Sequence, residues 1–205
     1  MQDSTNVLIE KIREQLANYK PVQLTLQALS ADLGLPLSEL TETFRNEAGL
    51  VEEILKFENH NLEAIFTDNT FEEDNAIDGL LEVSKVLSDR FRKILPVFSF
   101  DLKEYFPELQ QKYFTLRFNF VFDKISRNIR LGINQGLYRP DLSKELVSRI
   151  YISRLIDLHN PDFFPPDQFS FNTLFNVMFD TFIRGIVTEE GVNYYENKVK
   201  SYTFQ

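Results

Sequence analysis

Apolar residues recur along this chain at three- and four-residue spacing, the period of an amphipathic helix. Leu8, Ile9, Ile12, Leu16 and Tyr19 share a face over residues 7–19, polar Asp3 to Asn6 precede them and Pro21 follows, so a first helix is predicted there. Thr25 stands before Leu26, Leu29 and Leu33, and Gly34 comes just after, the signature of a two-turn helix with an N-cap and a left-handed C-terminal cap. A third short helix is predicted from Pro36 to Phe44, and Asn46 can cap a fourth that carries Leu50, Val51, Ile54, Leu55 and Phe57. Glu47 falls near the positive end of that fourth helix's dipole.

Beyond an acidic connection at Asp68 to Asp74, Ile77, Leu80, Leu81, Leu87, Phe91 and Ile94 mark an amphipathic helix ending before Pro96. Asp101 and Glu104 have capping-box spacing for a short helix that Pro107 must break or restart. A long helix then runs from Pro107 to Gly136, with Phe114, Phe118, Phe122, Ile125 and Ile129 on one face. Another is predicted to start at Asp141 and end at Asn160-Pro161, and a last one carries Phe171 to Ile186. Both are apolar on more than one side, the pattern of a surface buried twice, so they are read as a dimer face that builds a four-helix bundle between subunits. The other reading is that both lie deep in a monomeric core.

Composition agrees with an all-α chain. There are only 7 Gly, and no Asn-Gly or Asp-Gly turn joins two alternating stretches. With 43% hydrophobic and 26% charged residues the chain can bury a real core, and no apolar run reaches the length of a membrane span. The first residues have neither a basic stretch nor an apolar core, so a cytoplasmic location is expected. Cys is absent and the only His are His60 and His159, which removes thiolate chemistry and most metal-ligand sets. No phosphate-binding Gly loop, nucleophile elbow or His-Glu-x-x-His stretch is present, so neither an enzyme nor a cofactor is expected. Net charge is −9, which disfavours non-specific attraction to nucleic acid or anionic lipid.

The segment from Thr25 to Phe44 has helix-turn-helix spacing: Leu26, Leu29, Leu35, Leu40 and Phe44 would pack inward, and Gly34 would permit the tight turn. Together with the helices on either side, the ungapped run from about Leu8 to Leu55 resembles the N-terminal domain of the TetR/AcrR family of transcriptional regulators. Thr25-Leu26 stands at that family's Thr-Val or Thr-Ile pair, Leu33-Gly34-Leu35 at its Ala-Gly-Val, and Leu40 with Phe44 at its Leu-Tyr-x-x-Phe core. The resemblance implies a helix-turn-helix DNA-binding domain over 1–57 and a larger helical effector-binding and dimerisation domain over 58–205. It implies a homodimer that reads a palindromic double-stranded DNA operator and answers to a hydrophobic small molecule, most often as a repressor.

On that resemblance Thr25, Ser38, Thr41 and Thr43 would donate hydroxyl hydrogen bonds to phosphates, and Arg45 would add a cation. Gln27 can read adenine, and Glu39 or Glu42 can accept from a cytosine amino group. Several positions depart from the family: Lys20 replaces a Gly, Leu37 a Lys, Thr41 a phosphate-contacting Tyr, Thr43 an aromatic and Glu47 a Lys. Over residues 1–57 five basic side chains face nine acidic ones. The alternative is therefore a TetR-like dimer that has lost DNA binding and serves as a small-molecule-binding or protein-interaction module.

Residues 98–122 are unusually aromatic, and in TetR-like proteins this region walls an effector pocket; Phe98, Phe118, Asn119, Phe122 and His159 are the candidate lining residues, against ordinary core packing as the plain alternative. From Leu109 to Arg139, six basic residues oppose only Asp123. They suit either an anionic head group or a solvated face that balances neighbouring acids.

Overall fold

In a computed structural model, residues 2–16, 24–67, 75–94, 102–158, 160–165 and 167–203 are described. Ten helices occur among them: α1 Gln2–Leu16, α2 Leu26–Leu33, α3 Leu37–Phe44, α4 Glu47–Thr67, α5 Ala76–Ile94, α6 Leu102–Tyr105, α7 Pro107–Asn134, α8 Lys144–Asp157, α9 Phe171–Ile186 and α10 Glu189–Thr203. Tyr138 and Val187 form an isolated antiparallel bridge, and no strand occurs among the described residues. The chain is all-α, as the apolar spacing predicts.

Two compact units divide it, residues 1–63 with 93–117, and residues 64–92 with 118–205. The first unit has a core built from Ile9 and Ile12 of α1, Leu26 and Leu29 of α2, Leu40 and Phe44 of α3, and Leu50, Val51 and Ile54 of α4. Leu102 and Tyr113 complete it, with Phe106 and Leu109 packed against it, so residues 102–113 pack with the first helices although sequence order places them well beyond residue 57. Leu35, expected to point inward, is half-buried against the same core.

Local chemistry ends these helices where it should. Thr25 Oγ1 accepts from the Ala28 amide at 3.1 Å, the N-cap of α2. At the other end Gly34 adopts φ 64°, its amide donates to Ala31 O and the Leu35 amide to Ser30 O, which is the Schellman pattern. Asn46 Oδ1 accepts from the Gly49 amide at 2.9 Å and caps α4. Pro107 occupies the first position of α7, where its missing N–H costs nothing, and 28 residues then run for about 42 Å before Gly136 turns the chain at φ 74°.

In the second unit three expectations change. The helix predicted from Asp141 begins at Lys144, because Ser143 Oγ caps it by accepting from the Leu146 amide, while Asp141 lies 3.9 Å from the Arg139 guanidinium instead. It stops at Asp157, before Asn160-Pro161. A further helix, α10, follows the one expected to be last; Thr188 Oγ1 caps it from the Gly191 amide. The inward face of α9 is Phe175, Met178, Phe179, Ile183 and Ile186, whereas Val177 is 62% exposed. Helix α8 buries Tyr151 and Ile152 yet leaves Leu146 60% and Ile150 51% exposed, so its two-sided apolar character is not spent inside this unit.

Candidate nucleic-acid interface

Helices α2 and α3 pack on each other through the buried Leu26, Leu29, Leu40 and Phe44. That packing leaves Thr25, Gln27, Ser38, Glu39, Thr41, Glu42, Thr43 and Arg45 all exposed. The candidate residues thus stand outside the apolar framework. What their polar atoms already do decides how much is available to a ligand.

Thr41 Oγ1 donates to Leu37 O and Thr43 Oγ1 to Glu39 O, both at 2.8 Å. Each hydroxyl proton is spent inside α3, four residues back, a local bond that Ser and Thr often make in helices. A phosphate would have to displace it. Thr25 differs, because its oxygen accepts in the cap and its proton stays free to donate.

Arg45 sits at φ 69° and ψ −53° with the Asn46 amide donating to Phe44 O at 2.8 Å. This is a γ-turn of the positive-φ kind, rare for a residue with a side chain and strained by about 1–3 kcal/mol. The turn joins α3 to α4 in two residues and sets the exposed Arg45 at the end of α3. It also brings α4 hard against Phe44: a Cβ added to Gly49 would lie 2.0 Å from the Phe44 carbonyl oxygen.

The short turn has a second product. Glu47, the first residue of α4, reaches across 21 residues of sequence, and its Oε1 accepts from the Leu26 amide at 3.2 Å. The first turn of α2 carries amides with no partner inside the helix and the positive end of its dipole. Thr25 takes the Ala28 amide and Glu47 takes that of Leu26, so two of these donors are held by the chain itself. Sequence reading noticed the acid at 47 but had no signal for where its carboxylate goes, since the contact is tertiary.

Deeper in the same unit α4 carries a charged layer that sequence reading missed. Arg13 of α1 pairs through Nε with Glu58 and stacks over the Phe57 ring at 5.3 Å; Arg117 of α7 donates from Nε to Asn59 Oδ1 at 2.7 Å. Burial raises the Glu58 carboxyl pKa against the opposing pull of both guanidiniums. Burial also lowers that of Arg117, opposed by Glu58.

Of the six basic residues between Leu109 and Arg139, Arg117 is thus turned to a partner on α4. Lys112 pairs with Glu52 at 2.7 Å, Lys124 lies over the Phe120 ring, and Arg127 pairs with Asp123 at 2.9 Å, so these cations are each engaged in a separate contact.

Among the candidate pocket residues, Phe118 and Phe122 come together as a stacked pair at 6.0 Å, and the Arg149 guanidinium lies 5.5 and 5.3 Å from their centroids. Asn119, one residue on, is exposed. Phe120 meets Phe66 edge-on at 5.4 Å, and Tyr113 enters the core of the first unit. The aromatics of α7 serve several different contacts. Phe98 and His159 lie outside the described residues, as does Asp101.

No protein-family model matches the sequence, and no curated protein matches it. Solved structures do. A TetR-family transcriptional regulator from Marinobacter aquaeolei superposes with a TM-score of 0.75 at 16% identity, covering 95% of this chain and 96% of that one. The chain has the TetR fold. A transcriptional regulator from Saccharomonospora viridis, solved in complex with choline, superposes at 0.72 with 12% identity over 92% of this chain and 100% of that one. A ketosteroid transcriptional regulator of Mycobacterium tuberculosis does so at 0.66 with 18% identity over 89% and 94%. The TetR fold thus accounts for nearly the whole chain, including the second half, which sequence resembles only in outline. No helix among the described residues is long and apolar enough to cross a membrane.

Proposed function

We propose that this chain is a ligand-responsive transcriptional regulator of the TetR type and not an enzyme, with residues 1–57 as the DNA-reading domain and 58–205 as the effector-binding and dimerisation domain. The observation that carries the reading is the helix-turn-helix itself: a buried apolar framework holds α2 and α3 together while eight polar side chains stand exposed along them and the following turn. A homodimer would place two such units on a palindromic operator, one helical turn apart. Exposed Leu146 and Ile150 on α8 and Val177 on α9 support a dimer through those helices. The effector would be a hydrophobic small molecule that shifts the half-site spacing by favouring one conformation over the other. The choline bound in the Saccharomonospora viridis regulator supports a small-molecule ligand for this fold without naming the one taken here.

A second reading has its own observation. Thr41 and Thr43 spend their hydroxyl protons inside α3, and acids outnumber bases nine to five over residues 1–57, so a dimer that no longer reads DNA is the competing function. Selection of bound sequences from a random duplex library at low salt separates the two. Enrichment of a palindrome, weakened in a Ser38→Ala, Thr41→Ala, Arg45→Ala variant, supports the regulator. A folded dimer that enriches nothing supports the second reading.

A further inference from the structure

We propose that Glu47 acts as a built-in stand-in for a DNA phosphate, holding the anion-binding end of α2 and setting the protein's affinity for DNA low. The proposal rests on the DNA-reading function and adds to it a residue that no base contact would reveal. The amide of Leu26, at the first position of α2, donates to Glu47 Oε1 at 3.2 Å, and the neighbouring Ala28 amide is already taken by Thr25. A helix start of this kind attracts a phosphate because free amides and the dipole's positive end coincide there. In this chain a carboxylate is already hydrogen-bonded at that point, delivered by the two-residue turn at Arg45 and by the close approach of Gly49 to Phe44. Exposed Thr25 and Gln27 flank the same turn, so a duplex meeting α2 there meets Glu47 as well.

Two consequences follow for binding. A phosphate gains the Leu26 amide only when Glu47 swings away, and until it does the carboxylate repels the duplex. Both effects act on the DNA backbone and are blind to base sequence. They weaken with salt, because an exposed charge is screened within about 10 Å at 0.1 M ionic strength.

The test compares the wild-type dimer with Glu47→Gln, Glu47→Lys and Glu189→Gln in fluorescence-anisotropy titrations against the selected duplex and a scrambled one, over a salt series. Glu47→Gln keeps an oxygen that can accept from Leu26, so the fold is retained and only the charge is lost; its melting curve verifies this. Glu189, exposed at the start of α10, controls for net charge. The expected result is roughly tenfold tighter binding by Glu47→Gln at low salt, equal on both duplexes, and no change for Glu189→Gln. Glu47→Lys should also steepen the slope of log affinity against log salt by about one unit. Binding by Glu47→Gln that equals wild type, or a gain confined to the selected duplex, overturns the proposal and leaves the regulator reading intact. If neither wild type nor any Glu47 variant binds either duplex, the DNA-reading function itself falls and the proposal with it.

Discussion

Two carboxylates on α4, three turns apart, are used in opposite ways. Glu58 is buried and meets the side chain of Arg13 with Arg117 close by, so its partners are long, charged and drawn from helices distant in sequence. Glu47 is only partly buried and meets a single backbone amide, that of Leu26. Removing a partner from the Glu58 layer leaves a charge stranded away from water, a large penalty. Releasing Glu47 returns one carboxylate and one amide to solvent, where water satisfies both, so the net loss is about 1 kcal/mol. The same residue type on one helix is thus fixed in one place and exchangeable in another. Exchangeability is what a ligand-competing contact requires.

The widest separation between the two ends should come from Gly49→Ala. Its new Cβ would stand 2.0 Å from the Phe44 carbonyl oxygen, a backbone atom that cannot rotate away, so the first turn of α4 must move. We expect a loss of about 2 kcal/mol in urea denaturation, within the range for overpacking. Displacing that turn should also free the Leu26 amide, seen as faster hydrogen exchange there, while the Arg117–Asn59 contact nearly three turns beyond stays in place. An unchanged denaturation midpoint would mean that α4 is not seated as closely as described.

Asn46→Ala probes the same end more gently. It removes the side chain that caps α4 from the Gly49 amide but leaves the backbone turn in place, and should cost about 1 kcal/mol. An equal loss from Asn46→Ala and Gly49→Ala would show that the turn depends on its cap more than on its close packing.

How far these features were legible in the sequence follows from how local they are. Thr25, Gly34, Asn46 and Pro107 act on amides or carbonyls within five residues, and each could be assigned from the chain alone. The apolar set of α2 and α3 was legible for the same reason, since helical spacing fixes which residues share a face. Where two residues compete for one role, spacing does not choose: Asp141 and Ser143 are both good caps, and Ser143 has the position. The helix α10 was missed because its apolar residues, Val192, Tyr195 and Val199 among them, are sparse and interrupted by acids and lysines. The Glu47, Glu58 and Arg117 contacts join residues 21, 45 and 58 apart, and nothing in a periodic pattern encodes which helix a charge will meet.

Arg45→Gly should have a smaller and opposite effect on stability. Glycine accepts φ 69° without a Cβ penalty, so relief of the strained turn should stabilise the fold by about 0.5–1 kcal/mol. Removal of the cation should at the same time flatten the salt dependence of DNA binding by about one unit. A variant that is more stable yet binds DNA less well would identify the strain at Arg45 as serving binding; a variant less stable than wild type would mean that the guanidinium holds the turn.

The finest distinction concerns the protonation of Glu58. Burial raises its pKa more than Arg13 and Arg117 lower it, so the folded chain holds that proton more tightly than the unfolded chain does. The stability gained in this way is complete below the ordinary carboxylate value of 4.5 and is lost as pH rises through the raised folded pKa. Glu58→Gln has no proton to lose. The stability of wild type relative to this variant, from urea curves at a series of pH values, should therefore decline from below 4.5 toward neutral, with all other carboxylates cancelling in the difference. A difference that instead grows with pH would mean that the two guanidiniums outweigh burial. The layer on α4 would then be a stabilising ion network, and Glu58, unlike Glu47, would have no use for release.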